Sequence, residues 1–135
     1  MADPYGKTNL QPGFRLFDGS ALNRLFARVF QGGLNREVGI TAHAGGTKAA
    51  GYQLTRSLNL IATTASANDS VILPKAIAGS IVVVTNNGAQ TAAVYAKGND
   101  TIDGNSAATA NSLATTKTRF YVCYATGAWF TFISA

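Results

Sequence analysis

Few residues in this chain have the type and spacing that chemistry needs. Asp100 and Asp103, with Asn105 two places on, are the nearest pair among six acidic residues. Two carboxylates could divide acid and base roles in glycoside hydrolysis, or join Asn105 around calcium. Their spacing instead predicts a turn, where solvated or capping carboxylates are ordinary, and it does not fit a known calcium loop. The single histidine, His43, has no Cys, Asp or Glu at metal-ligand spacing. The lone Cys123 excludes an intramolecular disulfide framework or a multi-cysteine zinc site, and its setting, RFYVCYA, predicts a buried strand residue. No GxSxG, GxxxxGK(S/T) or HExxH pattern occurs. Tyr95, Tyr121 and Tyr124 could stack bases on a small β-barrel, but the basic residues are scattered singly and the aromatics alternate as core residues do. The expectation is a protein that is not an enzyme, with no catalytic, cofactor or metal residues and no specific nucleic-acid partner.

Composition points the same way. In 135 residues, enough for one compact domain and an accessory segment, only 13% are charged, about half the roughly 25% usual for soluble domains. A weakly charged, β-rich chain has little to repel neighbouring copies and suits life inside an assembly. The net charge of +5 is uneven: residues 1–36 carry +3 and the other ninety-nine carry +2. No apolar stretch has the length of a signal h-region or a membrane span, so the expectation is synthesis in a cytoplasm and no membrane partner.

The elements that must position any site read as follows. Residues 1–16, with Pro4, Gly6, Pro12 and Gly13, predict an extended arm. Over 17–33, Asp18 reads as an N-cap, Leu22, Leu25, Phe26, Val29 and Phe30 form an apolar stripe, and Gly32-Gly33 stops a short amphipathic helix. That stripe must dock on the β-domain or on neighbouring copies. Residues 34–52 have the composition of a connector. From 53 to 135 the chain reads as an antiparallel β-domain. Its organising hairpin over 79–103 pairs Ile81–Thr85 with Ala92–Ala96 around Asn86-Asn87-Gly88, and a last hairpin joins Arg119–Ala125 to Trp129–Ile133 around Thr126-Gly127. Leu58 and Leu60 alternate with Asn59 as in a half-buried strand. Residues 67–71 and 98–102 share one pattern, a small residue, Asn-Asp, a hydroxyl residue and a β-branched residue, read as Asx turns feeding strands. The fold class expected is mainly β, a small antiparallel β-sandwich or barrel preceded by the arm and the helix. In Ile81–Val84 and Phe120–Tyr124 both alternating sets are apolar, so both faces of these strands should be covered, and burial against another subunit would do this.

The segments FRLFDGSALNRLF (14–26), ITAHAGGTKAAGYQL (40–54), AGSIVVVTNNGAQTAAVYAKGNDTIDG (78–104) and RFYVCYATGAW (119–129) together resemble small virion structural proteins of tailed bacteriophages. The resemblance spans about residues 14–129 and consists of turn and core patterns. It implies a capsid decoration (cement) protein, a head-fibre protein or a tail appendage, often a homotrimer, with no catalytic residues. The expectation is therefore a virion protein on the outer surface of the head, partnered by itself and by the major capsid protein or another virion protein. Its interface would be Leu22, Leu25, Phe26, Val29 and Phe30, with Arg15, Arg24 and Arg28 pairing to acidic capsid surface. The alternative is a tail or head-fibre module that binds a host surface receptor or glycan through loops near Asn87, Asn99 or Asn105.

Overall fold

Beyond residue 34 the sequence is rich in short β-branched runs broken by Gly, Asn and Thr. The computed structural model, which describes residues 34–134, has strands and loops there and no helix among the described residues. Ten strands follow in order: β1 (Arg36–Thr41), β2 (Tyr52–Gln53), β3 (Leu58–Thr63), β4 (Asp69–Ile72), β5 (Ile81–Asn86), β6 (Ala92–Tyr95), β7 (Thr101–Ile102), β8 (Asn111–Leu113), β9 (Lys117–Ala125) and β10 (Ala128–Ile133). The arm expected over 1–16 and the helix expected over 17–33 lie outside the described residues, as do Arg15, Leu22, Arg24, Leu25, Phe26, Arg28, Val29 and Phe30.

The chain winds. Parallel β1, β3 and β5 lie side by side in one sheet, and parallel β2, β4 and β6 lie side by side in another. Each turn thus leaves one strand in each sheet, and the result is a β-solenoid of about four turns with mixed sheets. The register shows the repeat: Leu58 lies 22 residues after its partner Arg36, Val83 25 after Leu58, and Ala92 23 after Asp69. Such periods belong to stacked supersecondary units, each too small to bury its own apolar face. The last turns reverse direction: β8 joins β6, β9 joins β5 and β10 joins β9, all antiparallel, and β7 closes the edge parallel to β10. The orders are β1-β3-β5-β9-β10-β7 and β2-β4-β6-β8.

This overturns the expected antiparallel sandwich or barrel, and the corner at Asn86-Asn87-Gly88 shows why. A hairpin would set β5 beside β6, whereas here the chain leaves one sheet and enters the other. The buried Asn86 amide donates to the carbonyls of Gln90 (2.8 Å) and Leu113 (2.9 Å), and its oxygen accepts the Gly88 N–H (2.9 Å). Thr64, one turn earlier, donates its hydroxyl to the Gln90 carbonyl (2.7 Å) and accepts the Gln90 N–H (2.9 Å). Glycine is needed at 88 for closeness: a Cβ there would stand 2.3 Å from Thr64 Oγ1 and 2.5 Å from the Thr64 backbone nitrogen. The residue types of a tight turn serve equally for a corner stacked on the turn beneath it.

Between the sheets lies the core. Ile61, Val82, Val84, Tyr121, Cys123 and Trp129 from the six-stranded sheet share it with Val71, Leu73, Ala92, Val94 and Leu113. Each large aliphatic side chain so buried contributes about 1.5–3 kcal/mol. On β3 the inward residues are Asn59 and Ile61, while Leu58 and Leu60 face outward and are half-buried, the reverse of the usual polar-out alternation. The Asn59 amide nitrogen donates to the Arg56 carbonyl (2.8 Å), which offsets part of the cost of burying it, while its Oδ1 is left without a partner among the described residues. The terminal hairpin forms as its sequence predicts, with Gly127 at φ +96° in the turn between β9 and β10.

Residues 34–52, with the composition of a connector, hold β1 and then a strap over the four-stranded sheet. His43 and Ser70 exchange backbone hydrogen bonds (3.0 and 2.8 Å). The Ser70 hydroxyl donates to the Thr47 carbonyl (2.9 Å), and the Tyr95 hydroxyl donates to Gly46 (2.8 Å). Lys48 donates to the carbonyls of Gly98 (2.6 Å) and Ala107 (2.5 Å). Small residues let the strap lie close, for a Cβ at Gly51 would come 2.8 Å from Ile72 Cγ1.

Candidate assembly surface

The six-stranded sheet has an apolar inner face, as a core requires, and an outer face that is apolar as well. Register aligns the outer side chains in rows across the strands. Leu58 of β3 pairs with Val83 of β5, Val83 with Phe120 of β9, and Phe120 with Phe132 of β10. A second row runs Ile81, Val122, Phe130, and a third Leu60, Thr85, Thr118. None of these side chains is charged. The aromatic end forms a ridge: the Phe120 and Phe132 rings stack with centroids 4.8 Å apart and planes within 6°, and Tyr124 tilts against Phe130 at 5.9 Å.

The ridge is in water among the described residues. Tyr124 is 76% exposed, Phe132 59%, Ile81 55% and Phe130 47%. With about 200 Å² per aromatic side chain, the three exposed rings alone present roughly 350 Å² of apolar surface. Covering it would return about 9 kcal/mol before the costs of association. At the opposite margin of the same face lies a shallow groove of about 220 Å³, lined by Arg36, Glu37, Val38, Leu58, Asn59, Leu60, Val83 and Thr85. Its rim is fixed where the Tyr52 hydroxyl donates to the Glu37 carboxylate (2.5 Å). That hydrogen bond to a carboxylate raises the Tyr52 pKa above its ordinary value. The β1 edge itself is irregular, with register shifts on both sides of Ile40 and Gly39 at φ +77°, a device that blunts an open strand.

The residues that could carry chemistry are engaged elsewhere. Asp100 is buried, pairs with Lys75 (2.5 Å) and accepts the Ala76 N–H (2.7 Å), which ties the loop before β5 to the corner before β7. Both Asp103 oxygens face Thr131, accepting its N–H (2.8 Å) and its hydroxyl (2.7 Å). Asp69, the counterpart of Asp100 in the shared Asn-Asp pattern, is also buried and accepts the Ser66 N–H (2.9 Å) through Oδ2, while its buried Oδ1 has no hydrogen-bond partner among the described residues. His43 is exposed on the strap beside a groove of about 380 Å³ lined mainly by alanines, with Thr41, Tyr52 and Asp69. No three His, Cys, Asp or Glu side chains converge among the described residues. Tyr121 is buried, and burial pushes its phenol pKa well above the ordinary value, so it offers no stacking platform. Tyr95 is held to the strap, and Cys123 is buried as its setting predicts. Asn87, Asn99 and Asn105 sit exposed at three separate corners.

The interface residues read from the sequence lie outside the described residues, so the outer face is a surface that residue-by-residue reading did not name. Its signal was present in the doubled apolar sets of Ile81–Val84 and Phe120–Tyr124, which called for a second cover without saying which set needed it. No protein-family model matches this chain, and no curated protein matches it.

Proposed function

We propose that the protein is a non-enzymatic structural component of a tailed-phage particle, bound to the outside of the head as a self-associated unit that reinforces the shell. The observation that carries this reading is the apolar outer face of the six-stranded sheet, uncharged from β3 to β10, on strands whose inner face already fills a core. A contiguous patch of this kind serves contact with other macromolecules. The resemblance of residues 14–129 to small virion proteins supplies the setting. Low charge and the Asp100 and Asp103 carboxylates spent on internal hydrogen bonds suit a protein whose work is packing. Many copies acting together turn a modest affinity per copy into firm retention, because each later contact forms at high effective concentration. The test is gold-labelled antibody on intact particles: label spread over the head is the expected result. Label confined to the tail would favour a host-binding module, and unlabelled particles would remove the virion reading.

A further inference from the structure

We propose that the partner for the outer face of the six-stranded sheet is a second copy of this chain, with the Phe120–Phe132–Phe130–Tyr124 ridge of one copy seated in the Val38–Leu58–Leu60 groove of the other. The inference deepens the proposed function and rests on its reading of this face as an assembly surface.

Three observations choose the occupant. The first is shape. Ridge and groove lie on one face, at opposite ends of the same register row, Arg36, Leu58, Val83, Phe120, Phe132. From β3 to β10 the row spans three interstrand gaps, about 14 Å. A face that carries a protrusion at one margin and a hollow at the other can meet a second copy of itself. A two-fold axis along the strands places each ridge over the other copy's groove, and a closed ring uses the same contact once per copy.

The second is charge. From β3 to β10 the three rows hold no charged side chain; Arg36, which ends the first row on β1, and Glu37 are of opposite sign and are the only charges at the groove among the described residues. A partner presenting a charge to the centre would lose its hydration without gaining a counterion. A second copy presents rows equally free of charge.

The third is area. With Ile81 and the half-buried Leu58, Leu60, Val83 and Val122 added to the ridge, the face offers roughly 600 Å². Two copies would then bury about 1,200 Å², the lower bound of standard specific interfaces. The rows are also about 14 Å deep along the strands, wider than a single helix of about 10–12 Å can cover, whereas another sheet covers them at the usual spacing of about 10 Å.

The experiment is sedimentation equilibrium of the full chain, with Phe132→Asp on the ridge, Leu60→Lys in the groove and Ser112→Asp on the other sheet as a control. Emission of the buried Trp129 reports whether each variant is folded. Wild type and Ser112→Asp should associate above the 14.0 kDa of one chain. Each variant of the outer face should bind itself about 100-fold more weakly. An equimolar mixture of Phe132→Asp and Leu60→Lys should recover association, because the two-fold pair then sets one intact ridge in one intact groove and, at the other contact, an Asp against a Lys. A wild type that stays monomeric, an outer-face variant that associates like wild type, or a mixture that stays as weak as its components would overturn the proposal. Should Leu60→Lys fail to fold, Val38→Lys at the exposed groove margin takes its place. A monomeric protein that still labels phage heads would remove the self-association and this inference with it while leaving the head-bound reading, and a self-associating protein absent from particles would remove the proposed function while leaving this inference.

Discussion

The two sheets of this solenoid meet water in opposite ways. The outer face of the four-stranded sheet sets Ser70 beside Ala93 and Ile72 beside Tyr95, and the chain's own strap lies over it through the Ser70–Thr47, Tyr95–Gly46 and Lys48 hydrogen bonds. The outer face of the six-stranded sheet is built from Leu, Val, Ile, Phe and Tyr with Thr85 and Thr118, and has no such cover among the described residues. One face is satisfied locally and with polar bonds, and the other is left apolar at the scale of a partner. Among the described residues, uncovered apolar surface is therefore a property of one sheet and not of the architecture.

The sharpest way to break that contrast is to compare the two sides of one strand. Trp129 and Phe132 are both large aromatics on β10, the first fully buried and the second on the ridge. Trp129→Ala should cost about 3–5 kcal/mol of chain stability in urea melts, and a cost below about 1 kcal/mol would mean that the intersheet core is misassigned. Next is the corner between the sheets. Gly88→Ala forces its Cβ against the Thr64 backbone, so a loss of about 2–3 kcal/mol is expected, with the melt still cooperative.

The pH dependence follows with a smaller effect. Burial raises the folded-state pKa of Tyr121, so from about pH 10 the unfolded phenol releases its proton while the folded one keeps it. This contribution is fully present below pH 10 and is lost as pH rises beyond it, by up to about 1.4 kcal/mol per pH unit. Melts of wild type and Tyr121→Phe between pH 9 and 11.5 should diverge in slope only above pH 10. The gentlest change touches the strap: Tyr95→Phe removes its bond to Gly46 and should cost about 1 kcal/mol, with faster amide exchange in residues 43–51. Phe132→Ala, by contrast, should leave the stability of the dilute chain within about 0.5 kcal/mol.

Parts of this fold were legible locally. Thr126-Gly127 between two apolar runs fixes the last hairpin because the loop is too short for another connection, and Cys123 announces its burial through its neighbours. The winding was hidden because it is set at long range. Nothing near Ile81 says that its strand will lie between β3 and β9 and not beside β6, and Asn86-Asn87-Gly88 is sound chemistry for either outcome. The strap was hidden because the small residues that read as a connector are also those that let a chain lie flat on a sheet. In Leu58-Asn59-Leu60 the period-2 pattern was right and the face was wrong, since alternation alone does not say which set is inside. The need for a second cover was legible from the doubled apolar sets, but the surface needing it could be named only once the register had aligned Leu58, Val83, Phe120 and Phe132.

The most direct measurement is hydroxyl-radical footprinting of the full chain across a dilution series, read at Tyr124, Phe130 and Phe132, with Tyr95 as the strap-held reference. If a second copy covers the outer face, the three ridge residues are protected at high concentration and become labelled on dilution, while Tyr95 labelling does not change. Ridge residues labelled equally at every concentration, or protected equally at every concentration, would contradict it.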